Sequence, residues 1–529
     1  MTLELDREQM GHELLQRLVR ILGEERVLAK DSDREFYSSD IFGGNHRAAF
    51  VIRPQTTAEL AETVKAVTDS GYSVIGRGGG TSYTGGYVPD RENSVIVDTS
   101  GLDRIIEINR DDMFVTVEAG VTWESLHKAL ENTDVRPPFW GPLSGAVATV
   151  GGALSQNSIL WGSTEHDVSA ASVISLEVVT ADGSILNTGS AATGSKPFYR
   201  HYGPDLTGLF LGDCGSLGIK SKVTLRLIRR PLEVRMVSFN FDERARFSRA
   251  MATIGREGLA ATCFGMDPML QYQRIKRASM GQGVKALKGV MSSGKTTLSG
   301  IRSAMRIAVS GKRFLDDNGY SLHVIVEQGD AASADAKMKQ VKKICLAEGR
   351  EIENSIPTMM YSNPFVEMTS SIGPEGERWA PMHGLFPLSE GDEAWARIES
   401  LMDEYTGKFD RLGIIAGYLL AAVSNTVFVI EPVLYWPGPR TTWHQRMLDQ
   451  KILDKYTDFP DNPEVNATVQ EVRARLNELF VELGAAHLQI GKKYLYSQNL
   501  EPAAKVLLQS IKAAVDPSGL MNPGSLGLN

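Results

Sequence analysis

The spacing of apolar and polar residues changes along this chain. Between Leu14 and Leu22 apolar side chains recur at helical spacing, which predicts a helix within residues 1–30 that is polar on one face. Residues 45–230 instead alternate short apolar runs with amphipathic stretches, a pattern typical of strands followed by helices. After residue 231 the runs become longer, as at residues 322–326 and 426–430, which indicates a second region of different architecture.

One strand–helix–strand unit can be followed closely. Residues 49–52 are apolar and predict a strand, and Thr56 with Glu59 fits a helix-capping box. Leu60 and Val64 keep one helical face, and Gly71 ends the helix. Residues 72–75 then predict a second strand, which leads directly into a glycine-rich loop.

That loop, residues 76–86, holds six glycines in eleven residues. Glycine lets the backbone approach a ligand closely and take positive φ, and successive amides in such a turn bind anions. The hydroxyls of Thr81, Ser82 and Thr84 add donors. The pattern predicts a phosphate-binding loop, with a plain surface turn as the alternative. A third glycine at the dinucleotide spacing is missing, and the loop follows the second strand, so a Rossmann unit is disfavoured.

At this point the chain resembles the vanillyl-alcohol oxidase / p-cresol methylhydroxylase superfamily of FAD enzymes. Residues 117–122 follow a strand and open a helix as in that family, and residues 148–157 with 161–163 resemble its second flavin-binding stretch. Residues 206–219 resemble the third stretch, and residues 515–524 match the family's C-terminal end.

The resemblance implies an α+β fold with a two-part FAD-binding domain and an α+β substrate-binding cap. It divides the chain into an N-terminal helical segment (1–44), an FAD-binding domain (45–230), a cap (231–485) and a return to the FAD domain (486–529). The implied cofactor is FAD. The positions that match its binding residues are Arg77, Gly78, Gly79, Gly80, Thr81, Ser82, Gly86, Pro142, Thr149, Val150, Gly151, Gly152, Ser155, Asn157, Gly162, Ser163, Gly218, Ile219 and Asn522.

If FAD binds, it accepts a hydride at N5, and an alcohol substrate also needs a base for its O–H proton. The densest group of suitable side chains lies at residues 487–496, where the cap would return to the FAD domain. If this segment is a strand, alternation places His487, Gln489 and Gly491 on one side. We expect His487 to be the base, with a structural histidine at a domain junction as the alternative.

Further candidates are kept in two groups. For catalysis they are Tyr494, Tyr496 and His383. For substrate contact they are Gln489, Lys492, Tyr418, Asn425 and Arg440. Each has a plain structural alternative, in the core or on the surface.

Departures from the family pattern refine the expectation. Residues 488–489 read Leu-Gln where phenol oxidases have a Tyr-Arg pair, which weakens the phenol-oxidase interpretation. Neither residues 424–428 nor Thr81 supplies the histidine that links FAD in many members, so noncovalent flavin is expected. Residues 417–425 lack the metal motif of the D-2-hydroxyacid branch, so no metal site is expected.

A competing motif occurs at residues 289–296, which match G-x-x-x-x-G-K-[ST] letter for letter. The residues before it, 285–288, do not form a buried strand pattern, and the apolar run at 322–326 ends in Glu327 rather than a magnesium-binding Asp. We therefore interpret it as a chance match and disfavour an ATPase. The surrounding segment 281–311 is basic and irregular, and a lid or loop is expected there.

Composition sets the remaining limits. A length of 529 residues predicts two to three domains, and a net charge of −8 argues against nucleic acid as a partner. Three separated cysteines indicate buried thiols rather than disulfides or zinc. No apolar run reaches a membrane span, and no secretory leader is seen, so a cytoplasmic location is expected.

The leading hypothesis is an FAD-dependent dehydrogenase or oxidase acting on the CH–OH or benzylic carbon of a small substrate, a D-2-hydroxy acid or an aryl alcohol. One alternative is a para-substituted phenol or benzylic oxidase with altered pocket residues. An alternative of another class is a catalytically inert flavin-binding protein. The expected partners are the substrate, an electron acceptor (oxygen, a cytochrome or another carrier) and further copies of the chain.

Overall fold

The computed structural model describes residues 2–273, 319–366 and 372–528. The motif at 289–296 and the segment 281–311 lie outside these residues. In the described part, no helix is long and apolar enough to cross a membrane.

The first region, residues 2–230, contains three sheets with helices packed against them. The four-stranded sheet has the spatial order Val27–Leu28, Phe50–Ile52, Ser94–Asp98 and Ser73–Arg77. The five-stranded sheet has the order Ile105–Asn109, Phe114–Glu118, Ile219–Arg226, Val173–Val179 and Ile185–Asn187. A small ribbon pairs Val135–Arg136 with Ile228–Arg229. The helices of this region are Thr2–Leu22, Asp31–Tyr37, Thr57–Asp69, Trp123–Leu130, Val150–Gln156, Ser163–His166 and Leu206–Leu209.

The predicted strand–helix–strand unit is present. Phe50–Ile52 and Ser73–Arg77 both pair in parallel with Ser94–Asp98, and the helix Thr57–Asp69 connects the first two. Its N-cap hydroxyl, on Thr56, accepts from the Glu59 amide at 3.1 Å. This unit places the glycine-rich loop at the carboxyl end of a parallel strand, where ligands bind in open α/β sheets.

The described residues of the second region, from residue 231 to residue 485, form one eight-stranded sheet with helices against it. Its strands are Glu233–Phe241, Thr262–Met266, Tyr320–Gln328, Arg350–Ile352, Arg378–Pro381, Gly384–Pro387, Ile415–Val423 and Val427–Trp436. Its described helices are Arg244–Arg256, Ala331–Cys345, Ser355–Ser362, Gly391–Asp403, Thr406–Leu412, Thr442–Met447, Gln450–Leu453 and Pro463–Glu482. The mixed helix-and-sheet architecture is the α+β fold that the sequence predicts.

The two faces of this sheet pack differently, because side chains alternate along a strand. Leu420, Ala422 and Phe428 pack into the cluster formed with the helices of the region. Ala421, Val429 and Val433 lie on the opposite face, in a cluster that includes Ile159 and Val168 of the first region. That second face is therefore a wall turned toward the first region.

The chain then returns to the first region through the helices Tyr496–Asn499 and Pro502–Val515. Met521 bridges Val74 in parallel, and the Val74 amide donates to the Leu520 carbonyl at 2.8 Å. The strand expected at residues 487–491 is absent: only an isolated bridge, Leu385 with Ala486, precedes an irregular segment. Positive φ at Gln489 and Gly491 breaks the extended conformation there.

Candidate functional site

The glycine-rich loop is held from its edges, and its middle is left open to donate hydrogen bonds. The Tyr87 hydroxyl donates to the Gly80 carbonyl at 2.7 Å, and the Gly85 amide donates to Asp40 at 3.1 Å. Within the described part of the chain, the amides of residues 78–84 donate no hydrogen bond to protein acceptors. A run of free amides is the donor set that an anion requires.

Two glycines of the loop are required by close approach to a second segment. A Cβ at Gly78 would lie 2.3 Å from the Thr149 hydroxyl, and one at Gly79 would lie 2.1 Å from the Val147 carbonyl oxygen. Thr149 itself caps the helix Val150–Gln156, since its hydroxyl accepts from the Gly152 amide at 3.1 Å. The loop and this helix N-terminus are thus pressed together, as expected for a shared phosphate site.

The buried Arg77 side chain supports the glycine-rich loop. Its guanidinium lies over the rings of Phe36 and Tyr37 at 4.7 and 4.5 Å. A Cβ at Gly80, where φ is +66°, would come within 2.4 Å of the same guanidinium. Arg77 is 4% exposed, so it braces the loop rather than extending into the open space above it.

The stretches singled out in the sequence converge around the end of the loop. The Asn522 side-chain amide donates to the carbonyls of Gly86 and Cys214, both at 2.6 Å. The Gly491 amide donates to the Cys214 sulfur at 3.2 Å, and the Gln489 amide donates to the Gln156 carbonyl at 2.8 Å. Residues more than 400 apart in the chain therefore enclose one site.

The donor chemistry of this site fits FAD. The free amides of residues 78–84, with the half-buried Thr81 and Ser82 hydroxyls, are suited to a pyrophosphate. Gly152, Ser155 and Asn157 are half-buried on the adjoining helix and its C-cap. These are the residues that would hold the cofactor.

Other positions matched to the family serve the surrounding framework. The Gly162 amide donates to the Thr262 hydroxyl at 2.9 Å, and the Ser163 carbonyl accepts from Ser424 at 3.0 Å, so this segment joins the two regions. The loop around Pro142 is covered by the ring of Phe365, which a Cβ at Gly145 would approach to 2.3 Å. Framework packing also accounts for Val150, Gly151, Gly218 and Ile219, all of which are buried.

A buried polar cluster lies beside the loop. The Tyr83 hydroxyl is 3.1 Å from His383 Nε2, and the same nitrogen is 3.4 Å from a Glu431 carboxylate oxygen. The Gln489 side-chain amide donates to the Tyr83 hydroxyl at 3.0 Å. The ring of Trp379 meets that of Tyr83 edge-on at 5.6 Å between centroids. Burial, and then the charge of Glu431, raise the pKa of Tyr83 well above its ordinary value, so Tyr83 stays a neutral phenol.

The hydrogen-bond directions in this cluster leave a place for one proton. Because the Tyr83 oxygen accepts from Gln489, its own hydrogen is available to His383 Nε2. In the tautomer of His383 that carries its hydrogen on Nδ1, Nε2 accepts from Tyr83 and no hydrogen lies between Nε2 and Glu431. Protonation of His383 Nε2 would fill this gap with an N–H that donates to the carboxylate. The arrangement can therefore accept a proton and stabilise the resulting charge.

Glu431 is distinctive on its strand face. Among the strand residues of 415–423 and 427–435 that face the first region, it is the one charged side chain, and its cross-strand partner is Leu419. Val429 and Val433 flank it on the same face. On these two strands the face is thus apolar apart from one carboxylate, whereas the strand Tyr320–Gln328 places a second carboxylate, Glu327, on the same face, where it pairs with Arg136 of the first region.

His487, the expected base, does not touch this proton site. Its Nδ1 lies 2.8 Å from the backbone carbonyl of His383, and its ring stacks on Tyr494 at 4.2 Å. The Tyr494 hydroxyl in turn accepts from the His383 backbone amide at 2.6 Å. Burial lowers the pKa of His487, with the hydrogen bond to His383 acting in the opposite direction. Geometry therefore favours His383 over His487 as the proton-accepting histidine.

The remaining candidates lie outside the cluster. Tyr418 faces the helices and packs on Trp395 at 5.8 Å, and Asn425 is exposed in a hairpin turn. Arg440 donates to the Pro374 carbonyl at 2.7 Å, and Tyr496 packs on the C-terminal cluster. Lys492 donates to the Val88 carbonyl at 2.8 Å, and burial lowers its pKa to about 8.

Sequence reasoning missed Tyr83 and Glu431. Tyr83 is the one aromatic residue among residues 76–86, and Glu431 is the one charge in the run Val427–Trp436. An isolated polar residue in such a setting is a recognisable signal, but neither residue belongs to a short motif. No group of three metal-ligating side chains occurs in residues 2–273, 319–366 and 372–528.

Comparison with known proteins identifies the first region. Residues 48–189 match the FAD binding domain family. The glycolate oxidase subunit GlcD of Bacillus subtilis is 29% identical over 218 residues, which is 41% of this chain and 45% of that protein. A probable mitochondrial D-lactate dehydrogenase of Danio rerio is 32% identical over 215 residues, 40% of this chain and 41% of that protein. The chain thus matches less than half the length of these curated relatives.

The whole chain also has structural neighbours. It superposes on p-cresol methylhydroxylase with a TM-score of 0.75 at 17% identity, covering 98% of this chain and 97% of that one. For a 4-ethylphenol oxidase from Gulosibacter chungangensis the TM-score is 0.74 at 15% identity, with 98% and 97% covered. At such identities the likeness shows the fold. The matched FAD binding domain indicates FAD as the cofactor.

Proposed function

The chain belongs to the vanillyl-alcohol oxidase / p-cresol methylhydroxylase superfamily of FAD-linked oxidoreductases, and on that premise we propose that it is an FAD-dependent oxidoreductase of a small substrate. The reaction removes a hydride from a CH–OH or benzylic carbon, and FAD supplies the hydride acceptor at N5. The relatives named for glycolate and D-lactate oxidation support a CH–OH donor.

The observation that carries this proposal is the contact of His383 Nε2 with both Tyr83 and Glu431. A substrate hydroxyl must lose its proton as the carbon loses hydride. Tyr83 passes a proton to His383 when its own oxygen receives one from the substrate. Glu431 then stabilises the charged imidazole, and Gln489 keeps the Tyr83 oxygen oriented.

Anaerobic mixing tests the proposal directly. The FAD-loaded protein is mixed without oxygen with glycolate, D-lactate, L-lactate, D-2-hydroxyglutarate and 4-hydroxybenzyl alcohol, and flavin absorbance is followed. We expect bleaching by at least one compound, with D-lactate preferred over L-lactate if a hydroxy acid is used. A protein that keeps oxidised flavin with all of them would support the inert flavin-binding alternative.

A second candidate, oxidation of an aryl alcohol or para-alkylphenol, has one specific observation in its favour. The wall around Glu431 is apolar and offers a carboxylate but no Lys or Arg on the described strand residues 415–423 and 427–435. A carboxylate substrate would meet a like charge there, whereas an uncharged aromatic ring would meet Leu419, Val429 and Val433. The same panel separates the two candidates when 4-ethylphenol is added.

A further inference from the structure

The backbone N–H and C=O of His383 both form hydrogen bonds with side chains of the return segment, residues 486–529. Its N–H donates to the Tyr494 hydroxyl at 2.6 Å, and its carbonyl lies 2.8 Å from His487 Nδ1. A carbonyl oxygen only accepts, so His487 Nδ1 carries the hydrogen, and the tautomer of this histidine is fixed. Two side chains thus satisfy both polar groups of one buried residue.

The side chains of Tyr494 and His487 also pack against each other. Their rings stack at 4.2 Å between centroids and 18° between planes, and the Phe480 ring lies 5.6 Å from His487. Tyr494 is 4% exposed. His487 is half-buried. Because stacking on the buried Tyr494 leaves the pair few alternative rotamers, it defines a fixed point against which His383 rests.

We propose that Tyr494 and His487 are positioning residues that set the contact of His383 with Tyr83 and Glu431. This inference rests on the proposed function, because the contact matters only if His383 receives the substrate proton. Neither residue reaches the proton site through a described hydrogen bond, so both act through the His383 backbone. The segment that closes the site thereby also aligns its base.

The required precision explains why two anchors are used. His383 Nε2 lies 3.1 Å from Tyr83 and 3.4 Å from Glu431, so a displacement of about 1 Å would open both contacts. Misplacement on that scale costs on the order of 10²-fold in rate. Losing one anchor should cost about 10- to 100-fold, because the other remains.

The test compares variants that remove or retain the hydrogen-bonding group of each anchoring side chain. Tyr494→Phe keeps the stacked ring and removes the acceptor. His487→Asn places an amide nitrogen where Nδ1 lies and can still donate, whereas His487→Gln places its amide further out. Tyr405→Phe is the control, since Tyr405 is a buried tyrosine of the second region whose hydroxyl donates to Glu471 at 2.8 Å.

We measure the anaerobic flavin-reduction rate at saturating substrate, the substrate Kd, the FAD content and the melting temperature. Tyr494→Phe and His487→Gln should slow reduction about 10- to 100-fold with FAD content and Kd unchanged, and His487→Asn should regain most of the rate. The Tyr405→Phe control should reduce at the normal rate. An unchanged rate in Tyr494→Phe, or His487→Asn as slow as His487→Gln, would overturn the inference.

A crystal structure of Tyr494→Phe gives a readout independent of activity. We expect the His383 Nε2 to Tyr83 hydroxyl distance to exceed 3.5 Å. An imidazole that stays in place would refute the positioning role. If no compound reduces the wild-type flavin, the proposed function fails, while this structure still decides whether the two residues position His383.

Discussion

Replacement of Glu431 by Gln tests the central chemical claim with little change in shape. Glu431 is 7% exposed and lies on an apolar wall, so the amide fits the same space. The Glu431→Gln variant would lack the negative charge that faces His383 Nε2. The neutral resting cluster should survive, whereas the protonated imidazole should lose its stabilising partner.

The size of the effect follows from one distance. A unit charge pair at the observed 3.4 Å is worth about 5 kcal/mol at an effective dielectric constant of about 20. That figure is an upper limit, because the amide oxygen of the variant still offers a partial negative charge. We expect the flavin-reduction rate to fall about 10²- to 10³-fold, within the usual contribution of acid–base groups.

The assay is anaerobic stopped-flow reduction of wild type and Glu431→Gln with the best substrate, at saturating concentration. Glu399→Gln is the matched control, because Glu399 is a partly buried carboxylate of the same region that pairs with Arg244 at 2.6 Å, away from the cluster. The control should reduce at the wild-type rate and lose only stability. Wild-type reduction by Glu431→Gln, with normal FAD content, would refute the role of the carboxylate.

Three further outcomes are expected. Acid precipitation should release all flavin into the supernatant, because FAD is proposed to bind without a covalent link; colour in the washed pellet would contradict this. Gly79→Ala should purify with little FAD because its Cβ would lie 2.1 Å from the Val147 carbonyl, whereas Gly407→Ala, with open space around the new Cβ, should load normally; equal FAD content in the two variants would refute the close approach. Burial lowers the pKa of five described histidines, among them His166 to about 4, His444 to about 4 and His323 to about 3. The unfolded chain therefore binds more protons than the folded one between pH 6.5 and about 4, so the melting temperature should fall across that window, partly offset by Asp267, whose pKa burial raises to about 6. A melting temperature that stays constant or rises on acidification to pH 4.5 would contradict it.

The cofactor-binding half was predictable because its signals are local. The glycine loop follows a short parallel strand, and Gly78 and Gly79 are fixed by contacts that any larger residue would break. Such constraints act over a few residues and leave a readable pattern. Arg77 was predicted to bind the cofactor, but its guanidinium packs on the rings of Phe36 and Tyr37, some 40 residues earlier in the chain. The local sequence does not record that contact.

The polar cluster could not be read in the same way. Tyr83 and His383 are 300 residues apart, and Gln489 reaches Tyr83 across 406 residues. Alternation at residues 487–491 was the wrong guide, because positive φ at Gln489 and Gly491 interrupts an extended conformation there, and His487 contacts the His383 backbone instead. Contacts of this range follow from how the two regions close together, and no short motif records them.

Substrate choice is the point at which the comparisons and the site diverge. The relatives named for glycolate and D-lactate match about 40% of the chain. The wall that would face the substrate lies outside the matched family domain, at residues 415–435. A cofactor domain can be retained while a cap changes specificity, since function lies in the site and not in the fold. The single carboxylate on these two strands supports the second candidate, a substrate without a carboxylate, whereas the names of the relatives support a hydroxy acid, and the substrate panel decides between them.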